Sequence, residues 1–128
     1  MSKLEFRGRV FSGSGEAAEF VKLPWFQTQV LEKVGFSPFL GTLNLRLSEE
    51  SVWLRTKLRV TAVSKICSTE EYCEAALFKG RIGGTDCAVI VPRVKDYPRD
   101  VLEIVAPVDL RKRLKVNDGD EVSVEVSL

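Results

Sequence analysis

Histidine is absent from the sequence, and its absence excludes several kinds of chemistry at once. A Ser-His-Asp triad, a Cys-His nucleophile pair and a histidine-ligated zinc site all need an imidazole. Cysteine is scarce: the three cysteines are Cys67, Cys73 and Cys87, and no two of them form a Cys-x-x-Cys pair. An odd number at these spacings indicates neither a disulfide framework nor a zinc site. We therefore predict free thiols in a reducing compartment, although Cys67 and Cys73 could meet across a hairpin.

Long apolar runs and an excess of charge of one sign are also missing. Residues 1–5 lack the apolar stretch of a signal peptide, and no window of the sequence is long enough to span a bilayer. The 19 basic and 18 acidic residues leave a formal net charge of +1, whereas coating a nucleic acid requires many unneutralised cations. We expect a cytoplasmic protein with neither a membrane nor a nucleic acid as its partner.

The sequence does have the composition of a folded domain. Its 128 residues are 45% hydrophobic and 29% charged, which supplies both a core and a polar surface. This length is that of one ordinary domain, so we treat residues 1–128 as a single domain and expect a monomer.

Alternating apolar and polar residues predict a β-rich fold. Helices are predicted at residues 24–34, where apolar residues repeat at helical spacing before Gly35, and at residues 108–114, after Pro107. Many short strands and two short helices favour an all-β small closed barrel over a parallel sheet with crossover helices. The predicted strands are residues 4–11, 42–47, 58–66, 73–79, 87–91, 101–105 and 121–128.

Two segments predict contacts with phosphate and metal. Gly13-Ser14-Gly15-Glu16-Ala17-Ala18 follows the first strand, and glycines allow backbone N–H groups to approach a phosphate closely. The segment is neither a dinucleotide fingerprint nor a P-loop, so on its own a plain turn is the simpler interpretation. Thr42 and Asn44 share one face of a predicted strand, and their neutral oxygens suit Mg²⁺. The alternative is the polar face of a half-exposed strand.

Three further features have both a functional and a structural interpretation. Glu103 is the one carboxylate in an apolar strand, where it either binds a ligand or faces solvent. The predicted helix at residues 108–114 places several cations beside a helix start, which suits a phosphate but also describes an ordinary solvated face. Four aromatic residues could stack on a ring system, although core packing is their more frequent role. These are Trp25, Phe26, Phe36 and Phe39.

The order of these features along the chain resembles that of the archaeal CTP-dependent riboflavin kinases, which make flavin mononucleotide (FMN). The resemblance covers nearly the whole chain, from about Gly8 to Val126. Its most specific parts are Gly41-Thr42-Leu43-Asn44 and Leu102-Glu103-Ile104-Val105-Ala106-Pro107-Val108-Asp109-Leu110-Arg111. Residues 8–10, 12–16, 35–45, 88–92 and 118–120 also contribute.

This resemblance implies a six-stranded cradle-loop barrel that transfers the γ-phosphoryl group of CTP to the 5′-hydroxyl of riboflavin. It implies that Thr42 and Asn44 hold Mg²⁺ and that Glu103 contacts the flavin. Phosphoryl transfer depends mainly on alignment and charge neutralisation, and Glu103 is our candidate proton acceptor, with Glu16 second. The residues implied along the nucleotide are Ser14, Gly15, Glu16, Ala17, Ala18 and Glu19, together with Val108, Asp109, Leu110 and Arg111.

The sequence departs from the family pattern at two places. Ala17 stands where the family usually has a second glycine, which matters if that position needs a positive φ. A threonine that contacts the flavin phosphate in the family is missing after Val91-Pro92, so Lys95 or Tyr97 would have to replace it.

Two other functions remain open at this stage. Residues 110–122 also resemble segments of DNA-binding β-barrel regulators of the swapped-hairpin type, but the near-zero net charge weighs against DNA. A relative that binds a flavin or nucleotide without turnover is kept open by Ala17 and the missing threonine. We favour the kinase because it also explains residues 41–44.

Overall fold

The computed structural model describes residues 3–13, 16–61 and 64–128. Its first half contains β1 (Lys3–Phe11), α1 (Glu16–Val21), α2 (Pro24–Val34), β2 (Leu43–Leu47) and α3 (Glu49–Thr61). Its second half contains β3 (Ser64–Cys67), β4 (Cys73–Ile82), β5 (Thr85–Pro92), β6 (Val101–Val105), α4 (Leu110–Leu114) and β7 (Glu121–Ser127).

The strands form a closed antiparallel barrel. The sheet has the order β3-β4-β5-β6-β2-β1-β7, and a further pairing of β4 with β7 closes it. This closing pairing places Gly80 opposite Val126 and Arg81 opposite Glu125. Strand β3 pairs with β4 outside the closed ring, so the ring itself contains six of the seven strands. The prediction of a β-rich, six-stranded barrel is confirmed.

The barrel interior is the main core. Side chains alternate between the two faces of a strand, and on β2 this alternation buries Leu43 and Leu45 and places Asn44 on the outer face. Leu58 from α3 and Leu110 from α4 belong to the same core.

A second core lies on the outer face of the barrel, beneath α1 and α2. Val21 from α1 and Phe26 and Val30 from α2 pack against outward-facing residues of β3, β4, β5 and β6. The cluster extends to Val105 on β6. In the sheet, β2 is the next strand after β6, and its outer face carries Asn44.

The bounds of α2 agree with the prediction from sequence. Pro24 is its first residue, a position that tolerates a missing N–H. Gly35 follows the helix with φ of 88°, and its N–H donates to the carbonyl of Leu31. A left-handed residue at this position favours glycine, which explains why the helix ends here.

Helix α3 shows that the prediction of one strand over residues 58–66 was wrong. The structure places Leu58 in α3 and begins β3 at Ser64. Ser51 and Arg55, each 3% exposed, lie on the buried face of α3 with Leu58. Because two of these three positions are polar, the sequence lacks the apolar repeat that normally reveals a helix.

The number of helices is corrected as well. Two were predicted, and the described residues form four. One of the additional helices is α1, which occupies part of the segment interpreted as a turn. The predicted final helix begins at Leu110, because the Asp109 side chain accepts hydrogen bonds from the N–H groups of Arg111 and Lys112 and so caps it. Within the described part of the chain, no helix is long and apolar enough to span a membrane.

The prediction of free thiols was wrong for two of the cysteines. Antiparallel pairing of β3 with β4 places Cys67 opposite Cys73, and a disulfide joins them. Cys87 is free and lies in the main core. Burial, followed by the charge of Asp86, raises the pKa of the Cys87 thiol to about 12.

These positions predict the outcome of a thiol titration with an aromatic disulfide reagent. The native protein, purified without reductant, is expected to react very slowly at pH 8, because Cys87 is buried and protonated. In denaturant, Cys87 alone of the three cysteines should react. Reaction of all three in denaturant would show that the disulfide does not form.

Candidate active site

Polar residues from neighbouring strands meet on the outer face of the barrel. In the antiparallel register, Asn44 on β2 lies opposite Phe11 on β1 and opposite Glu103 on β6. Glu103 in turn lies opposite Ile90, which belongs to the second core. Asn44 and Glu103 are both half-buried. The pairing therefore puts an amide and a carboxylate side by side at the margin of an apolar cluster.

Thr42 completes this group with a second neutral oxygen. Its hydroxyl donates a hydrogen bond to Asn44 Oδ1 over 3.3 Å. Two ligands at right angles on an octahedral Mg²⁺ lie about 3.0 Å apart, given ~2.1 Å bonds. The oxygen pair thus fits two adjacent positions around the ion, with the hydroxyl proton turned away.

Among the described residues, no group of three or more His, Cys, Asp and Glu side chains is arranged to hold a metal ion. A magnesium ion at Thr42 and Asn44 would therefore take its remaining ligands from water and from substrate phosphates, which is its common mode in phosphoryl-transfer sites.

Gly13 connects the end of β1 with Asn44. A Cβ atom at position 13 would lie 2.6 Å from Asn44 Nδ2, a distance that real Cβ contacts do not show. Glycine therefore allows the backbone after β1 to lie directly against the Asn44 amide. Gly13 and the candidate metal ligand Asn44, far apart in sequence, are thus neighbours in the fold.

The other predicted nucleotide residues after β1 have different positions. Ser14 and Gly15 lie outside the described residues. Residues 16–18 form the first turn of α1, and Glu19 is exposed and pairs with Lys22 over 3.3 Å. Ala17 lies within α1, where φ is negative, so alanine at this position brings no backbone strain.

Arg111 anchors the start of α4 to the end of β1. Its Nη2 donates to Asp118 Oδ1 over 2.7 Å and to the backbone oxygen of Phe11 over 3.3 Å. Ser12 also donates to Asp118, over 2.8 Å to Oδ2. These hydrogen bonds, that of Arg111 first, lower the pKa of Asp118. Arg111 is thus held beside the end of β1.

A small cleft connects Thr42 with α4. Its volume is about 50 Å³, and Phe39 lines it, with its backbone N–H donating to Ala106 O over 2.7 Å. Of the four aromatic residues considered above, Phe39 is 44% exposed, while Phe26 is fully buried in the second core. Trp25 and Phe36 pack against that core. The cleft is also lined by Val108, Asp109, Leu110 and Arg111.

The sequence model of a protein family named CTP-dep_RFKase, described as "Domain of unknown function DUF120", matches residues 10–126. The chain belongs to this family. It is 41% identical to the riboflavin kinase of Archaeoglobus fulgidus, over 98% of this chain and 55% of that protein. It is 40% identical to the riboflavin kinase of Methanosarcina mazei, over 96% of this chain and 56% of that protein.

A third relative is covered more completely. The riboflavin kinase of Ignicoccus hospitalis is 36% identical over 96% of this chain and 71% of that protein. The chain therefore spans a little over half of the first two relatives and more than two thirds of the third. The resemblance identified from sequence is confirmed.

Lys95 and Tyr97 were considered as replacements for the threonine that the family usually has, and they have different surroundings. Tyr97 is half-buried. Burial, followed by the charge of Glu103, raises the pKa of its phenol. Lys95 is exposed and lines a separate cleft of about 610 Å³ with Lys65 and Arg93. Of these two residues, Tyr97 is the one whose pKa responds to Glu103.

Sequence reasoning missed two parts of this site. The contact between Gly13 and Asn44 joins residues on different strands, and a motif pattern carries no signal for it. Arg55 lies over the Tyr97 ring, with 5.5 Å between its Cζ and the ring centroid. Its position depends on α3, which the sequence analysis assigned in part to a strand.

Proposed function

We propose that this chain transfers the γ-phosphoryl group of CTP to the ribityl 5′-hydroxyl of riboflavin, giving FMN and CDP with Mg²⁺. The observation that carries the proposal is the oxygen pair of Thr42 and Asn44, beside Glu103 on the next strand and against Gly13. The curated relatives named riboflavin kinase support the reaction, and the family name supports CTP as the donor.

Thr42 Oγ1 and Asn44 Oδ1 would hold the magnesium ion. When bound, the ion neutralises phosphate charge and keeps the phosphoryl group in line with the attacking oxygen. The two oxygens already lie 3.3 Å apart in the absence of a ligand, because Asn44 lies on a barrel strand and Thr42 donates a hydrogen bond to it. Preorganisation of this kind reduces the cost of ordering the site during the reaction.

The nucleotide would lie between the segment after β1 and the start of α4. Gly13 keeps the backbone close to Asn44, so phosphates bound along residues 14–19 would reach the metal ligands. Arg111 connects the start of α4 to the end of β1 through its hydrogen bonds to Asp118 and to the backbone oxygen of Phe11. Its remaining N–H groups would contact the nucleotide.

Glu103 would lie next to the reacting 5′-hydroxyl of riboflavin. A carboxylate at this position can accept a hydrogen bond from the hydroxyl and then its proton as the phosphoryl group is transferred. In a loose transition state the proton moves late, so orientation of the nucleophile is the larger contribution.

We further propose that the chain acts as a cytoplasmic monomer.

Product analysis tests the proposal directly. Purified protein and riboflavin are incubated with CTP or ATP, with magnesium or with EDTA, and FMN is separated and quantified. We expect FMN with CTP and magnesium, little with ATP, and none with EDTA. A folded protein that binds riboflavin but makes no FMN would instead be the inactive binder. Salt-sensitive binding of duplex DNA without riboflavin binding would indicate the regulator.

A further inference from the structure

Phe39 is an exposed aromatic residue close to the candidate metal ligands. Its side chain is 44% exposed, although phenylalanine is among the residues that are most often buried. Its backbone is held on both sides: its N–H donates to Ala106 O over 2.7 Å, and its carbonyl accepts from the N–H of Gly41 over 2.8 Å. These hydrogen bonds tie the residues before Thr42 to the end of β6. The exposed ring therefore has a fixed point of attachment.

The ring lies beside the backbone that leads into β2. A Cβ atom at position 41 would lie 3.5 Å from Cε1 and 3.6 Å from Cδ1 of Phe39, which are ordinary van der Waals distances. Phe39 also lines the small cleft that connects Thr42 with residues 108–111. One aromatic side chain thus borders both a candidate metal ligand and a segment that would contact the nucleotide.

From this placement we propose that the exposed ring of Phe39 stacks on the base of the bound nucleotide. The inference rests on the proposed function. The cleft has a volume of about 50 Å³, which is too small to enclose a base, so the base lies across its mouth against the ring. Stacking covers apolar surface that water otherwise contacts. Because every base has a π-face, this contact contributes affinity without distinguishing cytosine from adenine.

Binding of CDP in the presence of magnesium tests the contact by calorimetry. Phe39→Ala removes the ring and keeps both backbone hydrogen bonds. Loss of a base–aromatic stack weakens binding by about 5- to 150-fold, and we expect a loss in this range for CDP. Phe39→Tyr keeps the ring and should bind CDP as wild type does.

Inorganic tripolyphosphate separates the base from the phosphates. It has a triphosphate chain but no base, so its inhibition constant against CTP should be the same for Phe39→Ala as for wild type. The KM for CTP should rise in this variant, and the KM for riboflavin should stay unchanged. Leu40→Ala is the matched control, since Leu40 is the next residue, is 57% exposed and does not line the cleft. It should bind CDP as wild type does.

Three results would overturn the inference while leaving the proposed function in place. Wild-type affinity of Phe39→Ala for CDP would show that the ring does not contact the base. An equal loss of tripolyphosphate inhibition would show that the variant disturbs the phosphate site instead. An increase confined to the KM for riboflavin would place the ring against the flavin. Failure of the proposed function has a different signature: the wild-type protein makes no FMN, while the CDP titrations still decide whether the ring contacts the base.

Discussion

Replacing Asn44 with alanine is expected to lower kcat/KM for magnesium-dependent FMN formation by at least about 100-fold. Loss of a partner outside the coordination sphere commonly costs about 10–100-fold, and Asn44 is a proposed ligand itself. The fold should change little, because Asn44 lies half-buried on the outer face and its hydrogen bond with Thr42 is worth about 1 kcal/mol. Product analysis at saturating riboflavin, with a thermal melt of the same sample, measures both effects.

Arg46→Ala is the matched control for this variant. Arg46 lies two positions further along the same face of β2, is exposed, and pairs with Asp100 over 3.0 Å. Exposed pairs of this kind contribute little to stability. The control should keep wild-type activity. Normal magnesium-dependent turnover by Asn44→Ala would refute the metal site, whereas equal losses in both variants would mean that this face of β2 is merely sensitive to truncation.

Gly13→Ala is expected to reduce activity by about 10–100-fold with little change in stability, the range for losing an orienting contact at a metal ligand. The new Cβ would lie 2.6 Å from Asn44 Nδ2. Since this atom ends a flexible side chain, the amide can rotate away without disturbing the barrel. The variant would therefore fold but misplace Asn44. Activity and melting temperature are measured together, as for Asn44→Ala.

Gly8→Ala provides the contrasting case on the same strand. Its Cβ would lie 2.7 Å from the backbone oxygen of Arg46, and β2 cannot rotate away from it as a side chain can. Crowding of this kind costs about 1–3 kcal/mol in the free energy of unfolding. Urea denaturation should show this loss for Gly8→Ala and not for Gly13→Ala. The reverse order of stabilities would contradict the contact between Gly13 and Asn44.

The sequence predicted the parts of the fold that depend on local patterns. Alternation on β2 identified its buried leucines and its polar face, and Pro24 and Gly35 marked the bounds of α2. Helix α3 was not predicted, because its buried face includes Ser51 and Arg55, whose partners come from elsewhere in the chain. Burial of polar side chains is decided by tertiary contacts, and a hydrophobic repeat cannot report it.

The same distinction separates the predicted and unpredicted parts of the candidate site. Thr42 and Asn44 are two residues apart at a strand, so their proximity follows from the period of the pleat. The position of Glu103 opposite Asn44 and the Cys67–Cys73 disulfide depend on how strands pair across the fold. Residue types alone could identify these residues as candidates, but they could not show which residues they contact.

Paramagnetic line broadening by Mn²⁺ tests the central claim most directly, because Mn²⁺ accepts the same octahedral oxygen ligands as Mg²⁺. Spectra of ¹⁵N-labelled protein with CDP are recorded before and after addition of Mn²⁺. The strongest loss of signal is expected at Thr42, Asn44 and Glu103. Residues 68–72 should keep their signals, since they follow β3, four strands from β2 in the sheet order. Broadening centred away from β2 and β6, or equal broadening in Asn44→Ala, would contradict the account.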